Sequence, residues 1–446
     1  MKFGGTSVKD KEAIERVISI VRGRIADKPL VVVSAMAKVT RLLCSIADEA
    51  ETQHLENVER LMGQLRDIHT GTARALLEDY PEALAECLSG IGSLCDSLES
   101  FVMGVCHIGE LSPRSYARIV STGELLSSTI VAASMSVRGL GCRWLDARKM
   151  IITDNEYMSA TPDMQATEAN VKRLVQEAAK GVSVVLTQGF IASSADGWPS
   201  VLGFEGSDYS AAIFGMALDA ERIEIWTDVD GIQSADPNMV QCTRRIGEVS
   251  YEEASEMAFL GARVLHPLTI EPARRKNIPV VVLNSKSPGG DGSVVTYKEV
   301  APGPKSIAVK KDIDYLEVRS EKIIGVSAML AGIFGVVSEN KVKVTLSAVS
   351  ESAAGLTMDS FQPGFESMLT ALREKFNVMV YRDKAEISVV GRDITLRPGI
   401  MDAMRQAAGA GIYMTAQSPM RLSASMVIDR SEAESVARRL HKEIFV

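Results

Sequence analysis

Lys2, Gly4, Gly5, Thr6 and Ser7 all stand within the first seven residues, MKFGGTS, ahead of an amphipathic run. The two glycines can take backbone angles that expose consecutive N–H groups, the hydroxyls can cap the helix that follows, and Lys2 adds a point charge. Such a turn is suited to holding phosphate. It is equally an ordinary strand-to-helix turn with an exposed lysine, since Gly-rich turns are common punctuation. Three further segments have the same character, and packing explains none of them. At 202–210 the chain reads LGFEGSDYS, with Asp208 bracketed by Gly and small hydroxyls. At 226–237, WTDVDGIQSADP sets Asp228, Asp230 and Asp236 around a Gly turn directly after the apolar pattern IEIW. At 261–267, GARVLHP puts Arg263 beside a Gly and a His-Pro turn.

Together with SAMAKVT at 34–40, STGELLS at 121–127 and TQGF at 187–190, these segments resemble the aspartate kinases of the amino-acid kinase family, in order and over nearly the whole chain. The resemblance implies a monofunctional enzyme that uses ATP to phosphorylate the side-chain carboxylate of L-aspartate. The product, 4-phospho-L-aspartate, commits carbon to lysine, threonine and methionine. Phosphorylating a carboxylate needs positioning and charge compensation more than covalent help. On the resemblance, Lys2 is the cation at the bridging or γ-phosphate, with Gly4 and Gly5 beside it. Asp208 orients that lysine, although a carboxylate next to a cation is also a simple ion pair. Ser207 contacts phosphate or substrate. Glu124 receives the amino group of aspartate; a Glu in the first turn of a helix is otherwise a routine partner of the helix dipole. Ser34 and Thr40 supply hydroxyls near the acceptor, while Thr227 and Asp228 meet the adenosine and phosphates. Arg263 stands where the family has lysine, a planar fork in place of a point charge. Mg²⁺ comes with the ATP phosphates, held mainly by phosphate and water, and no protein ligand set is readable.

The chain also departs from the family. The usual Leu-Gly-Arg-Gly-Gly-Ser-Asp is here Leu-Gly-Phe-Glu-Gly-Ser-Asp, so Phe204 replaces the arginine expected to clamp a carboxylate and Glu205 replaces a Gly. A bidentate clamp has no apolar substitute. Lys38 and Arg41 stand where the acceptor loop has Gly and Asn, so the carboxylate contact is expected to have moved, with Arg41 assigned to the acceptor. Decay of the site, or exposed charges of no consequence, are the alternatives. Gln233 and Asn238 replace a Tyr and an Arg on the nucleotide side. The chain begins at the lysine, whereas relatives carry several apolar residues before it, and a truncated start is one reading. A non-catalytic or acceptor-altered relative that senses an amino acid is the second functional reading.

The elements that must position these residues follow from composition and period. A chain of 446 residues is too long for one ordinary core and implies two or three domains. Forty-nine basic against 57 acidic residues leave a net charge of −8, which makes no case for nucleic acid or an anionic membrane surface. No apolar run approaches the ~20 residues that span a bilayer, and no signal-peptide shape opens the chain, so a cytoplasmic location is expected. Six cysteines lie scattered without metal-type pairing, and neither disulfides nor structural zinc are expected.

The β-branched runs VVVSA at 31–35, VSVVLTQGF at 182–190 and ERIEIWTDV at 221–229 predict strands buried on both faces, alternating with helices in a mainly parallel sheet. Residues 45–135 have helical spacing and read as an insertion that covers the acceptor site. The expected fold is α/β, an amino-acid kinase domain over 1–298. The Pro/Gly-rich segment 299–306 marks its end. Two βαββαβ units follow, resembling tandem ACT domains at 307–380 and 381–446. The ACT resemblance implies an amino-acid effector at an interface between two regulatory units, and hence a homodimer. Its contacts are expected at Met329 and Leu330, where a helix opens, and at Thr345, Ser350 and Glu351 on and after the next strand. Lysine-sensitive relatives carry an aspartate where this chain has Thr345, so lysine feedback is expected to be weak unless Glu351 or another acid takes that role.

Overall fold

The computed structural model describes residues 1–446 apart from 263–264, 266 and 321–324. The chain forms two compact units: Met1–Gly231 with Leu268–Tyr297, and Ile232–Pro267 with Lys298–Val446. Among the described residues no helix is long and apolar enough to cross a membrane.

In the first unit the β-branched runs become short strands, ordered in space as Cys142–Trp144, Val184–Gln188, Leu30–Val33, Lys2–Phe3, Ile223–Thr227, Val280–Asn284 and Ser293–Thr296. Neighbours are parallel except the last pair, in which Val280 opposes Val295. Parallel strands need crossover helices, which cover both faces. Accordingly Val31 and Val33 join a core with Ile14, Leu43 and Ile130, while Val32, turned the other way by the two-residue period, is just as deeply buried.

Three of the helices begin at polar caps. The Asp10 side chain accepts the Ala13 N–H ahead of Lys11–Arg22, whose Ile14, Val17, Ile18 and Val21 recur at helical spacing and are buried. Ser112 caps Pro113–Val120, with Pro at its first position, and Asp163 caps Met164–Ala178. Residues 39–137 run through five helices, Val39–Glu51, Leu55–Leu77, Pro81–Ile108, Pro113–Val120 and Thr122–Val137. Because the central strands are parallel, their carboxyl ends open at one edge, and the chain leaves there through Gly4, Ser34, Gly189, Asp228 and Ser285. Ligands of open α/β sheets bind at this edge.

The second unit carries an antiparallel sheet, ordered Val344–Val349, Ala353–Asp359, Gly303–Arg319, Asn377–Arg392, Ser423–Asp429 and Met414–Gln417. Its two long strands are shared between two halves. Residues 313–319 pair with 353–359 and 377–384, whereas 303–310 pair with 386–392; the register shifts between Lys310 and Ile313, where Asp312 takes φ +61°. Helices Val326–Glu339 and Phe365–Arg373 pack on the first half, Pro398–Ala408 and Ala433–Phe445 on the second. A division between 380 and 381 therefore falls inside one continuous strand. The helix expected to open at Met329 and Leu330 begins at Val326 behind Gly325, extended by the helix-favouring Ala, Met and Leu of VSAML.

Residues 232–267 cluster in this second unit for a local reason. The Ile307 N–H donates to Ser234 O at 2.8 Å, Ser234 Oγ lies 2.8 Å from His441 Nε2, and Ala235 and Val240 join Ile307, Val389 and Leu440 in one core.

Candidate active site

Lys2 forms an ion pair with Asp208, the third residue of helix Gly206–Ala217. Their side chains are only 11% and 14% exposed, a setting in which attraction is little screened. Gly4 lies beside the lysine: a Cβ there would be in ordinary contact, 3.6 Å from Nζ. The chain then enters the short 3₁₀ turn Gly5–Val8, where Ser7 Oγ donates to Ser285 Oγ at 2.9 Å and ties the turn to the end of strand Val280–Asn284.

The start of the Asp208 helix abuts the TQGF turn. A Cβ on Gly189 would sit 2.7 Å from Ser207 Cβ, and one on Gly206 would sit 2.9 Å from Phe190 Cδ2, so this approach requires glycine at both positions. Phe190 itself takes φ +66°, and its N–H donates to Ser210 Oγ at 2.9 Å. Ser207 is thereby held beside Asp208 at the carboxyl end of Val184–Gln188.

Glu124 lies in the first turn of helix Thr122–Val137 but turns inward and is 2% exposed. Its Oε1 accepts the Ala35 N–H at 3.1 Å; its Oε2 is buried and meets no hydrogen-bond partner. Burial pushes its pKa up to about 8, against the opposing pull of the Ala35 N–H and its own backbone. A buried carboxyl oxygen left unpaired is what a cationic ligand can complete. One turn along, Ser127 Oγ donates to Ser34 O at 2.7 Å. Two glycines close on the same stretch: a Cβ on Gly5 would lie 2.9 Å from Ala35 O, and one on Gly123 would lie 3.0 Å from Ala35 Cβ. Ala35 thus touches the Gly4–Gly5 turn on one side and the acid on the other.

Ser34 and Thr40 are half-buried where strand Leu30–Val33 gives way to helix Val39–Glu51. Lys38, at φ +70°, and Arg41 are exposed on the same connection, and Phe204 is 80% exposed. Thr227 closes its strand with its C=O accepting the Ser285 N–H at 2.8 Å, and its hydroxyl leans 3.4 Å from Asp228. Asp230 accepts from Asn284 Nδ2 at 2.7 Å, and Lys286 stands 3.9 Å from Asp228.

Three nucleotide-side candidates remain. Gln233 and Asn238 belong to the second unit, where Gln233 bridges Arg245 and accepts Ser306 Oγ at 3.0 Å through its C=O. Both the N–H and the side-chain amide of Asn238 donate to Asp236 Oδ1 at 2.9 Å. Arg263 lies outside the described residues. Among those described, no group of three or more His, Cys, Asp or Glu could hold a metal. A cavity of about 340 Å³ opens at the amino ends of the strands, among Met1, Leu30, Phe214 and Ile223; none of the site residues lines it.

In the regulatory candidates Met329 is buried in a core with Leu316, Ile333 and Met358, and Leu330 is half-buried. Ser350 and Glu351 are exposed, with the Ser350 N–H donating to Ala353 O at 2.8 Å. Thr345 meets an acid that sequence reasoning passed over: its Oγ1 donates to Glu386 Oε1 at 2.5 Å, and the Thr357 hydroxyl donates to the same oxygen. Glu386 is fully buried and its Oε2 has no hydrogen-bond partner. Nothing in the pattern EISVVGR marks it, because alternation alone does not say which half of a long strand is covered.

Residues 1–284 match the model of the amino acid kinase family. Lysine-sensitive aspartokinase 3 of Escherichia coli (strain K12) is 33% identical over 454 residues, spanning 100% of this chain and 98% of that one. The structure of E. coli aspartokinase III with aspartate and ADP, an R-state, gives a TM-score of 0.87 at 30% identity, covering 100% of this chain and 99% of that one. The T-state of that protein with lysine and aspartate gives 0.78 at the same identity and coverage.

Proposed function

The chain belongs to the aspartokinases of the amino acid kinase family, and from that premise we propose that it transfers the γ-phosphoryl group of ATP to the side-chain carboxylate of L-aspartate. The observation that carries the reading is a buried Lys2–Asp208 pair, in the same unit as a buried Glu124 whose Oε2 has no hydrogen-bond partner. An aspartate carboxylate oxygen attacks the γ-phosphorus while the β–γ bridging oxygen leaves with ADP. Lys2, aimed by Asp208, offsets the charge that spreads over the phosphoryl group, with the Gly4–Gly5 backbone beside it. Glu124 Oε2 pairs with the substrate ammonium and gives up its proton to solvent. Ser34, Thr40, Arg41 and Ser207 complete the acceptor side, and Thr227 and Asp228 the nucleotide side, to which Gln233, Asn238 and Arg263 are assigned by the resemblance alone. The Mg²⁺ that accompanies ATP would be held mainly by phosphate and water, and would supply charge compensation to the phosphates.

In this reading residues 1–298 are catalytic, 307–380 and 381–446 are ACT modules that bind an amino-acid effector, and the enzyme works in the cytoplasm at the entry to lysine, threonine and methionine synthesis. An effector ammonium read beside Thr345 would pair with Glu386 rather than Glu351. A homodimer through these modules is supported by Val344–Val349, the outermost strand of its sheet, with Val349 45% and Phe334 39% exposed. A coupled ATP-consumption assay across aspartate, glutamate and N-acetylglutamate tests the reaction: turnover with aspartate is expected. Silence with all three, accompanied by an amino-acid-dependent shift in melting temperature, would favour a sensing protein.

A further inference from the structure

We propose that Ser127 is a positioning residue for acceptor binding, acting by gripping the Ser34–Ala35 peptide group jointly with Glu124. The inference rests on the aspartate-kinase reading above. The Ser34 C=O and the Ala35 N–H are the two polar atoms of a single peptide plane. Ser127 Oγ donates to the first at 2.7 Å, and Glu124 Oε1 accepts from the second at 3.1 Å. The two side chains stand three residues apart on one helix, so they face the same way from a rigid support. Ser127 is 1% exposed, and its hydroxyl has a local alternative, the Glu124 C=O at 3.2 Å. The shorter contact reaches out of the helix to Ser34.

The close approaches of Gly5 and Gly123 fall on Ala35 O and Ala35 Cβ, beyond that peptide plane, and do not by themselves set its rotation. The two hydrogen bonds fix that rotation. Two consequences follow for the acceptor. Oε1 of Glu124 is occupied, so Oε2 is the oxygen left for a ligand. The Ser34 side chain, attached to the gripped peptide, is held at a set distance from that oxygen. Without the Ser127 hydroxyl the Ser34 carbonyl loses its donor, the plane can turn, and the Ala35 N–H drifts from Glu124. Glu124 then loses the hydrogen bond that partly offsets its burial.

The test compares wild type, Ser127→Ala and Ser127→Thr as full-length chains. In Ser127→Ala the KM for aspartate should rise about tenfold, the scale of one lost buried hydrogen bond, while the KM for ATP stays within about twofold. The pH profile of the aspartate KM should move to higher pH, and the Ala35 amide should exchange faster with solvent. Ser127→Thr, which keeps the hydroxyl, should restore all three. A parallel rise in both KM values, or an unchanged Ala35 exchange rate in Ser127→Ala, would overturn the proposal. Wild-type protein that does not phosphorylate aspartate would refute the reaction assigned above, while Ala35 exchange would still decide whether Ser127 grips the peptide.

Discussion

On the proposed reading the charge of Lys2 must be aimed at the moving phosphoryl group, and its ion pair with Asp208 is the contact that would aim it. Lys2→Ala and Asp208→Ala should each lower kcat by about 100-fold or more, the scale of a lost preorganised electrostatic contact. Wild-type turnover in either variant would remove that residue from the reaction. Glu124 makes a prediction of a different kind, because its carboxyl is held up to about 8 from an ordinary 4.5 by burial. The folded state favours the neutral acid. Its stabilising contribution is therefore complete below pH 4.5 and is lost as pH rises through about 8. Without substrate the protein should melt at lower temperature at pH 8 than at pH 6, and Glu124→Gln should flatten that slope. Aspartate, whose ammonium pairs with the ionised form, should bind more tightly over the same rise. A wild-type KM for aspartate that is flat across this range would deny Glu124 the ammonium.

At the scale of elements, two contacts carry consequences that residue types alone do not announce. The start of helix Gly206–Ala217 can approach the TQGF turn only because Gly189 has no side chain. Gly189→Ala would place a methyl 2.8 Å from Ser207 Cα, backbone that cannot rotate away, so the helix start and Asp208 must move. The expected result is a kcat loss comparable to that of Asp208→Ala with a smaller loss of melting temperature, measured on the same preparation. In the antiparallel sheet, burial raises the pKa of Glu386 against the opposing pull of the Thr345 and Thr357 hydroxyls and of Lys310, which is itself paired with Asp359 at 2.8 Å. Its contribution is present in full below the ordinary carboxylate range and is lost as pH rises through the raised value. Glu386→Gln keeps the shape and removes the titration, so it should melt higher than wild type at alkaline pH and not at acid pH. Parallel melting curves for the two proteins across pH would contradict that account.

The molecule as a whole is divided differently from its chain order. The first unit has the amino acid kinase fold, and the antiparallel unit has the βαββαβ pattern of paired ACT-like modules. Ala235 and Val240 belong to the core built by Ile307, Val389 and Leu440, although nearly 70 residues of sequence separate Val240 from Ile307. A fragment ending at residue 298 would leave both without that core. It should aggregate or bind a hydrophobic dye during gel filtration, whereas the full chain should elute cleanly. A monodisperse, dye-silent fragment would show that 232–267 folds without the C-terminal residues.

Much of this was legible in the residues themselves. Glycines, small hydroxyls and isolated charges at the ends of β-branched runs are local signals: each is set by what the backbone needs at that point in the chain. They drew attention to Lys2, Gly4, Gly5 and Asp208 before any fold was known, the resemblance to aspartate kinases added Ser207 and Glu124 as candidates, and the period of the apolar residues predicted a parallel sheet with helical cover. Pairings between distant residues are not local. That Glu124 spends one oxygen on Ala35 and leaves the other bare, that Ser127 reaches Ser34, and that Thr345 meets Glu386 depend on which strands and helices come to lie side by side. The sharing of strands 303–319 and 377–392 between two half-units is of the same kind, since a strand's alternation records that it has two faces and not which partner lies along each edge. Only the tertiary structure decides those neighbours, because burial and hydrogen bonding are properties of the assembled layers rather than of any one segment.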